Sequence, residues 1–203
     1  MKTRITIVIV VIFCAIVFLY SYKSNENSIT TINYSKPQTI NKEEITIIQK
    51  INKLAQLSIN ESKKKNLTIY DENRKPYLLK DLVGENPKLI FKFSETQCSH
   101  CIEHALKYIE IYKKEIGINN IILIGNFIDE KSYSIFVRFH PKIHSKIYQI
   151  DKDALDLSVD SLNQPYLIFV NTSLRIQEIF VPLKEIPERT DHFFKKVIKK
   201  TTK

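Results

Sequence analysis

Apolar positions along the chain follow two different periods. They recur at helical spacing over residues 47–55 and 102–116, where each apolar position is followed by another three or four residues later. Short continuous apolar runs at 89–93, 121–124 and 166–170 are typical of strands buried in a sheet. The pattern therefore predicts an α/β domain in which helices flank a central sheet.

Capping and turn-forming residues limit these elements. Gly117 ends the long helix that follows the strand at 89–93, and Asp129 caps a further helix that runs to Phe139. A weak strand at 147–150 and a final helix at 191–200 complete the pattern. Two hairpins are predicted, one joining 67–70 to 77–79 with a closing turn at 81–84, and one joining 166–170 to 175–181.

The N-terminal segment is the longest apolar stretch. Lys2 and Arg4 precede residues 5–20, which are interrupted only by Thr6 and reach about the minimum of roughly 17 residues needed to cross a bilayer. No small-residue cleavage site follows, so residues 1–22 are predicted to be an uncleaved anchor. The positive charges before it favour a cytoplasmic N-terminus. The rest of the chain is then expected outside the cytoplasm, which in a bacterium is the periplasm or the outer face of the cell.

Length and composition allow one domain beyond this anchor. We expect a polar tether at 23–40, an N-terminal helix at 41–66 and a folded domain at 67–203. The formal net charge is +9, but the lysines are scattered and no nucleic-acid-binding motif accompanies them, so no nucleic-acid partner is expected. The chain has only 3 glycines, which argues against a glycine-rich phosphate loop.

The motif with the clearest chemistry is Cys98-Ser99-His100-Cys101, which lies between a predicted strand and a predicted helix. The first sulfur is then expected at a helix N-terminus, where free backbone N–H groups and the helix dipole favour the thiolate. The thiolate is the reactive form of cysteine. The motif therefore predicts dithiol redox chemistry, which requires neither a metal nor a cofactor.

The order of elements resembles the thioredoxin fold: a strand, the C-x-x-C, a long helix, a further strand and helix, and a proline before a hairpin and a closing helix. Residues 67–73 and 79–84 resemble the N-terminal extension of the membrane-anchored TlpA- and ResA-like thiol-disulfide oxidoreductases. The resemblance covers about residues 67–200. It implies a central mixed sheet flanked by helices, protein thiol or disulfide substrates, and a separate redox partner.

The resemblance also implies roles for four residues. Cys98 would attack a substrate disulfide and Cys101 would resolve the mixed disulfide. Pro165 would follow a cis peptide bond with its ring against the cysteine pair, and Gln164 would offer its backbone to the substrate chain. His100 lies between the two cysteines, and from this position its imidazole would lower the pKa of Cys98. The alternative is an exposed loop histidine that does not act on the thiol.

The chain departs from the family pattern at several positions, and it also lacks the proline that is common between the two cysteines. Gln97 stands where the family usually has Trp, Leu106 replaces a helix-kinking proline, and His104 stands where TlpA-like members often have an acidic residue, with Glu103 beside it. The resemblance therefore does not specify the redox potential, the rate or the identity of the partners.

Two other functions remain open from the residues alone. Soft thiolates with imidazoles suit Cu(I) or Zn, so a metal-binding protein is the second hypothesis. Its ligands would be Cys98, Cys101, His100 and His104, with His140 or His144 as a distal ligand. The third hypothesis is a binding module in which the two cysteines form a structural disulfide.

Overall fold

The computed structural model describes residues 42–61, 67–140, 146–152 and 154–201. These residues belong to the second of two compact units, which comprises residues 40–203. The predicted anchor and tether lie outside the described residues, so both stay predictions. Within the described ranges, no helix is long and apolar enough to cross a membrane.

The described residues form five α-helices, two short 3-10 helices and seven strands. The α-helices are α1 (Lys42–Glu61), α2 (Leu79–Val83), α3 (Ser99–Ile116), α4 (Glu130–Phe139) and α5 (Pro187–Thr201). The strands are β1 (Thr68–Tyr70), β2 (Pro76–Leu78), β3 (Lys88–Ser94), β4 (Ile121–Asn126), β5 (Ile147–Gln149), β6 (Tyr166–Val170) and β7 (Ile176–Phe180). The 3-10 helices are Ile118–Asn120 and Ser158–Leu162.

The seven strands form one mixed sheet in the order β2-β1-β5-β4-β3-β6-β7. The neighbours β3, β4 and β5 are parallel, whereas the two hairpins join the sheet in antiparallel pairing. The predicted central strand β4 lies between β3 and β5 and is buried along almost its whole length. The predicted mixed sheet flanked by helices is confirmed.

The two faces of the sheet bury different helices because side chains alternate along each strand. On one face, Ile90 of β3 and Ile124 of β4 belong to a core cluster with Ile51 of α1 and Val83 of α2. The opposite face is aromatic, and there Phe93 stacks on Phe136 of α4. Helices α3 and α5 also pack together, through stacked rings of Tyr108, Tyr112 and Phe194.

Two elements differ most clearly from the prediction. Residues 79–83, expected as the end of a strand and a turn, form helix α2. A strand would have buried Asp81 on the same face as Leu79 and Val83, whereas the helix leaves Asp81 exposed and buries the other two. Helix α5 begins four residues before the predicted start, at Pro187, which suits a first helical position because that position needs no N–H donor.

Candidate active site

The C-x-x-C motif follows a tight turn at the end of β3. The N–H of Gln97 donates to the carbonyl of Ser94 at 3.0 Å, and the Gln97 side-chain oxygen accepts from the N–H of Ser94 at 2.9 Å. Gln97 is buried. The Gln97 side chain therefore holds the turn by hydrogen bonds, at the position where TlpA- and ResA-like proteins usually have Trp.

Cys98 lies at the N-terminus of α3, as the sequence predicted. Its carbonyl accepts hydrogen bonds from the N–H groups of Cys101 and Ile102, at 3.0 Å and 3.1 Å, which are the first bonds of the helix. Its side chain is exposed and its thiol is free, and the thiol of Cys101 is also free but partly buried. The first turn of a helix has N–H groups without helical partners, so it favours a negative charge on the nearby sulfur.

The surroundings lower the pKa of the Cys98 thiol. The largest cause is a hydrogen bond from the side chain of Cys101, followed by one from the backbone N–H of Cys101, while partial desolvation opposes both. The positive charge of Lys184 and the backbone N–H of His100 lower the pKa further. Hydrogen bonds to the thiolate therefore stabilise it more than any single neighbouring charge does.

The pKa of Cys101 moves in the opposite direction. Burial, the hydrogen bond to Cys98 and the negative charge of Cys98 together raise the pKa of Cys101 to about 12, with Glu185 adding to the rise. Lys184 opposes these effects. Because the two thiols share one hydrogen bond, ionisation of one keeps the other protonated. The pair thus contains one ionisable, exposed sulfur and one protonated, less accessible sulfur.

Two charged residues that the sequence analysis did not identify act on this pair. Lys184 and Glu185 lie in the loop between β7 and α5, and their side chains form an exposed ion pair at 3.8 Å. The Lys184 charge lowers the pKa values of both thiols, and the Glu185 charge raises the pKa of Cys101. Neither residue belongs to a local motif, so the sequence offers no signal that links them to cysteines more than 80 positions away.

The packing of α5 on α3 brings this loop to the site. The Tyr108 hydroxyl donates to the carbonyl of Pro187 at 3.2 Å, and Nε2 of His104 lies 3.3 Å from Oγ1 of Thr190. Both contacts join α3 to the first turn of α5. They therefore fix the segment that carries Lys184 beside the cysteine pair.

The two histidines of this region differ in their surroundings. His100 is exposed, and its effect on the pKa of Cys98 comes through its backbone N–H, so the predicted role of its imidazole stays a prediction. The His104 ring is partly buried against α5. Burial, and then the charge of Lys107, lower the pKa of His104, whereas Glu185 opposes this shift. The neutral imidazole is therefore favoured near neutral pH.

The predicted cis bond between Gln164 and Pro165 is wrong, since the described residues contain no cis peptide bond. The chain turns instead at Asn163, which adopts a left-handed conformation with φ 49° and ψ 40°. Pro165 is buried directly before β6. Because Tyr166 pairs with Lys92 in antiparallel register, the start of β6 lies at the end of β3 from which the Cys98 turn departs. The substrate-binding role of Gln164 and the contact of Pro165 with the cysteines stay predictions.

The described residues also bear on the metal-binding hypothesis. Within them, no group of three or more His, Cys, Asp or Glu side chains is arranged to hold a metal ion. His104 contacts Thr190, and Nδ1 of His140 lies 2.8 Å from the carbonyl of Phe136. The other proposed distal ligand, His144, lies outside the described residues.

The sequence matches no protein-family model, and a search of the curated proteins finds no match. Among solved structures, the chain is similar to peroxidoxin BcpB from Mycobacterium tuberculosis, with a TM-score of 0.50, 10% identity, and coverage of 65% of this chain and 91% of the other. The fold is thioredoxin-like. At such low identity the similarity describes the fold alone.

Two further solved structures are similar at lower scores. One is a thiol:disulfide interchange protein from Bacteroides sp., with a TM-score of 0.44, 18% identity, and coverage of 64% of this chain and 86% of the other. The other is a secreted disulfide oxidoreductase from Mycobacterium tuberculosis, with a TM-score of 0.46, 12% identity, and coverage of 64% and 98%. The functional argument for this chain therefore rests on its own cysteine site.

Proposed function

We propose that this protein is a thiol-disulfide oxidoreductase of the TlpA- and ResA-like kind that exchanges disulfides with protein substrates through Cys98 and Cys101. The observation that supports it is the pair of free thiols at the start of α3, where Cys98 is exposed and Cys101 is partly buried. The opposite directions of their pKa shifts agree with this arrangement. An exposed sulfur with a lowered pKa can attack or be attacked, and a partly buried sulfur with a raised pKa is suited to act second.

The reaction balances with the two cysteines alone. In the reductive direction, the Cys98 thiolate attacks one sulfur of a substrate disulfide, the substrate S–S bond breaks, and the other substrate sulfur leaves as a thiolate. Cys101 then loses its proton and attacks Cys98 in the mixed disulfide, which releases the second substrate thiolate. Two electrons pass from the dithiol to the substrate. The oxidative direction is the reverse, and the redox partner restores the starting state.

Alkylation kinetics test this division of roles. We expect iodoacetamide to modify Cys98 much faster than Cys101 near neutral pH, because only Cys98 has a lowered thiol pKa. The Cys101→Ser variant should accumulate mixed disulfides with substrates, and Cys98→Ser is the matched control that should not. Slow and equal labelling of both thiols would contradict the enzyme proposal and favour a structural disulfide. Stoichiometric Cu(I) or Zn in the reduced protein, lost in His140→Ala, would favour the metal-binding alternative.

We further propose that residues 1–22 anchor this domain at the outer face of the cytoplasmic membrane, in the periplasm where an outer membrane is present. The support is the apolar run behind Lys2 and Arg4, without a small-residue cleavage site after it. Intact-mass measurement of protein from the membrane fraction tests this proposal. A mass that lacks the first two dozen or so residues would show that the segment is cleaved.

A further inference from the structure

A groove of about 450 Å³ lies between α3 and α4, outside the cysteine pair itself. Its apolar wall includes Phe139, whose side chain is 76% exposed, and Ile135, which is 38% exposed. Two carboxylates, Glu95 and Glu103, also line it. We call this surface the acidic groove, and its remaining lining residues are Ser132, Phe136 and His140.

The acidic groove is continuous with the turn that carries Cys98. Glu95 lies within that turn, and Glu103 lies in the second turn of α3, two residues after Cys101. The N–H of Glu95 donates to the carbonyl of Asn126 at 3.1 Å, and its carboxylate accepts from the N–H of Ile128. These bonds tie the active-site turn to the end of β4 and to the loop before α4, where Ile128 is 78% exposed.

The charge of the groove is opposite to that of the chain. The whole chain carries 31 Lys and Arg against 22 Asp and Glu, yet the carboxylates of Glu95 and Glu103 are the charged groups that line the groove. A cationic side chain would be attracted by these two carboxylates. Anionic lipid headgroups would be repelled by the same two carboxylates. The exposed ring of Phe139 adds an apolar contact that a polypeptide side chain can cover.

We propose that the acidic groove binds an extended segment of a partner polypeptide that has an apolar side chain and a lysine or arginine next to its reactive cysteine. The proposal rests on the thiol-disulfide exchange proposed above and names the class of substrate. The apolar residue would cover Phe139 and Ile135, and the basic residue would pair with Glu103. The partner's sulfur would then reach Cys98 from the adjoining turn.

Single-turnover reduction of three synthetic peptides by the reduced full-length protein in detergent tests the proposal. Each peptide carries its cysteine as a mixed disulfide with thionitrobenzoate. The Cys98 thiolate attacks the peptide sulfur and releases thionitrobenzoate, and Cys101 then attacks Cys98 and releases the peptide thiol. The cysteine is flanked by Leu and Arg, by Leu and Glu, or by Ser and Arg. We expect the Leu–Arg peptide to react about two- to five-fold faster than the Leu–Glu peptide, as one exposed ion pair allows.

Two variants with matched controls assign the preference to the groove. Glu103→Lys should abolish or invert the preference for Arg over Glu, whereas Glu115→Lys, an exposed change at the far end of the same helix, should keep it. Phe139→Ser should slow both Leu peptides but not the Ser–Arg peptide. The control Ile118→Ser, at another exposed apolar side chain, should change none of the three rates.

The outcomes separate this proposal from the proposed function. Hydroxyethyl disulfide is small and neutral, so its reduction reports the cysteine chemistry alone, and a protein that fails to reduce it refutes the redox function itself. Normal reduction of hydroxyethyl disulfide with equal rates for the Leu–Arg and Leu–Glu peptides refutes the groove proposal alone. Equal effects of Glu103→Lys and Glu115→Lys would refute it too. A dimer in sedimentation that Phe139→Ser dissociates would assign the groove to a second copy and overturn the proposal.

Discussion

Asp160 joins three parts of the structure beside the start of β6. Its Oδ1 accepts hydrogen bonds from Lys92 Nζ and Tyr166 Oη, both at 2.9 Å, and its Oδ2 accepts from the N–H of Leu157 at 3.0 Å. Tyr166 is fully buried, and the side chains of Lys92 and Asp160 are only 15% and 22% exposed. The Asp160 carboxylate thus accepts hydrogen bonds from an ammonium, a hydroxyl and a backbone N–H, and all three groups are largely shielded from solvent.

We expect Asp160→Ala to lower the free energy of unfolding by about 2–4 kcal/mol. The substitution removes all three bonds and leaves the ammonium of Lys92 and the hydroxyl of Tyr166 without this acceptor. Hydrogen bonds to charged groups contribute about 1.5–3 kcal/mol each, and breaking a buried ion pair costs about 3–5 kcal/mol. The expected loss is smaller than the sum because the pair is partly exposed and water can replace some of the lost contacts.

Urea unfolding followed by circular dichroism measures this loss. Tyr166→Phe removes one of the three bonds and should cost about 0.5–1.5 kcal/mol. Asp151→Ala, at an exposed carboxylate nearby in sequence, is the control and should change stability by less than about 0.5 kcal/mol. A loss below about 1 kcal/mol for Asp160→Ala, or an equal loss in the control, would refute the reasoning, because an anchoring network of this burial must cost more to break.

Three further predictions follow from the same structure. Lys184→Met should raise the pKa of the Cys98 thiol, seen in the pH dependence of its alkylation, because a positive charge that favours the thiolate is removed. An equal rise in the exposed control Lys199→Met would show that the effect is not local. Gly125→Ala should destabilise the fold by about 1–3 kcal/mol, because the added Cβ would lie 2.3 Å from a ring carbon of Phe127. An unchanged midpoint of urea unfolding would contradict this. Desolvation is the largest single effect on Asp71 and raises its pKa. Four hydrogen bonds to the carboxylate together outweigh it and hold the pKa of Asp71 below its ordinary value of 3.8. They come from two backbone N–H groups, a lysine and a tyrosine. The stability it contributes is therefore present above about pH 4 and is lost as pH falls through 3.8 towards the folded-state pKa. Asp71→Asn should then lose less free energy of unfolding than the unmodified protein between about pH 6 and pH 3, the range where carboxylates titrate. The exposed Asp151→Asn is the control, and an equally large loss in both variants would contradict the prediction.

Local signals in the sequence predicted most of the secondary structure. The carboxylate of Asp129 accepts a hydrogen bond from the N–H of Ser132 at 2.7 Å, so the cap of α4 involves residues three positions apart. Gly117, with φ 87°, ends α3 as expected of a residue that tolerates positive φ. The place of the C-x-x-C between β3 and α3 was predictable for the same reason: the atoms that define it are close along the chain.

Weaker local signals were resolved only by packing. Helix α2 spans five residues, too few to be stable alone, and it forms because Leu79 and Val83 enter the core beneath the sheet. The chain turns at Asn163, and not at the expected cis bond before Pro165, because Asn163 ends the 3-10 helix 158–162. No periodic pattern in the sequence predicted that helix. Such short elements gain most of their stability from contacts distant in sequence.

The active site shows the same division. The sequence by itself determined that two cysteines would begin a helix, because strand, motif and helix are contiguous. Only the tertiary structure decided which charges surround them, since Lys184 reaches the pair through the packing of α5 on α3, and the acidic groove forms where α4 lies beside α3. Electrostatic effects depend on distance in space, and a single sequence does not report that distance for residues far apart along the chain.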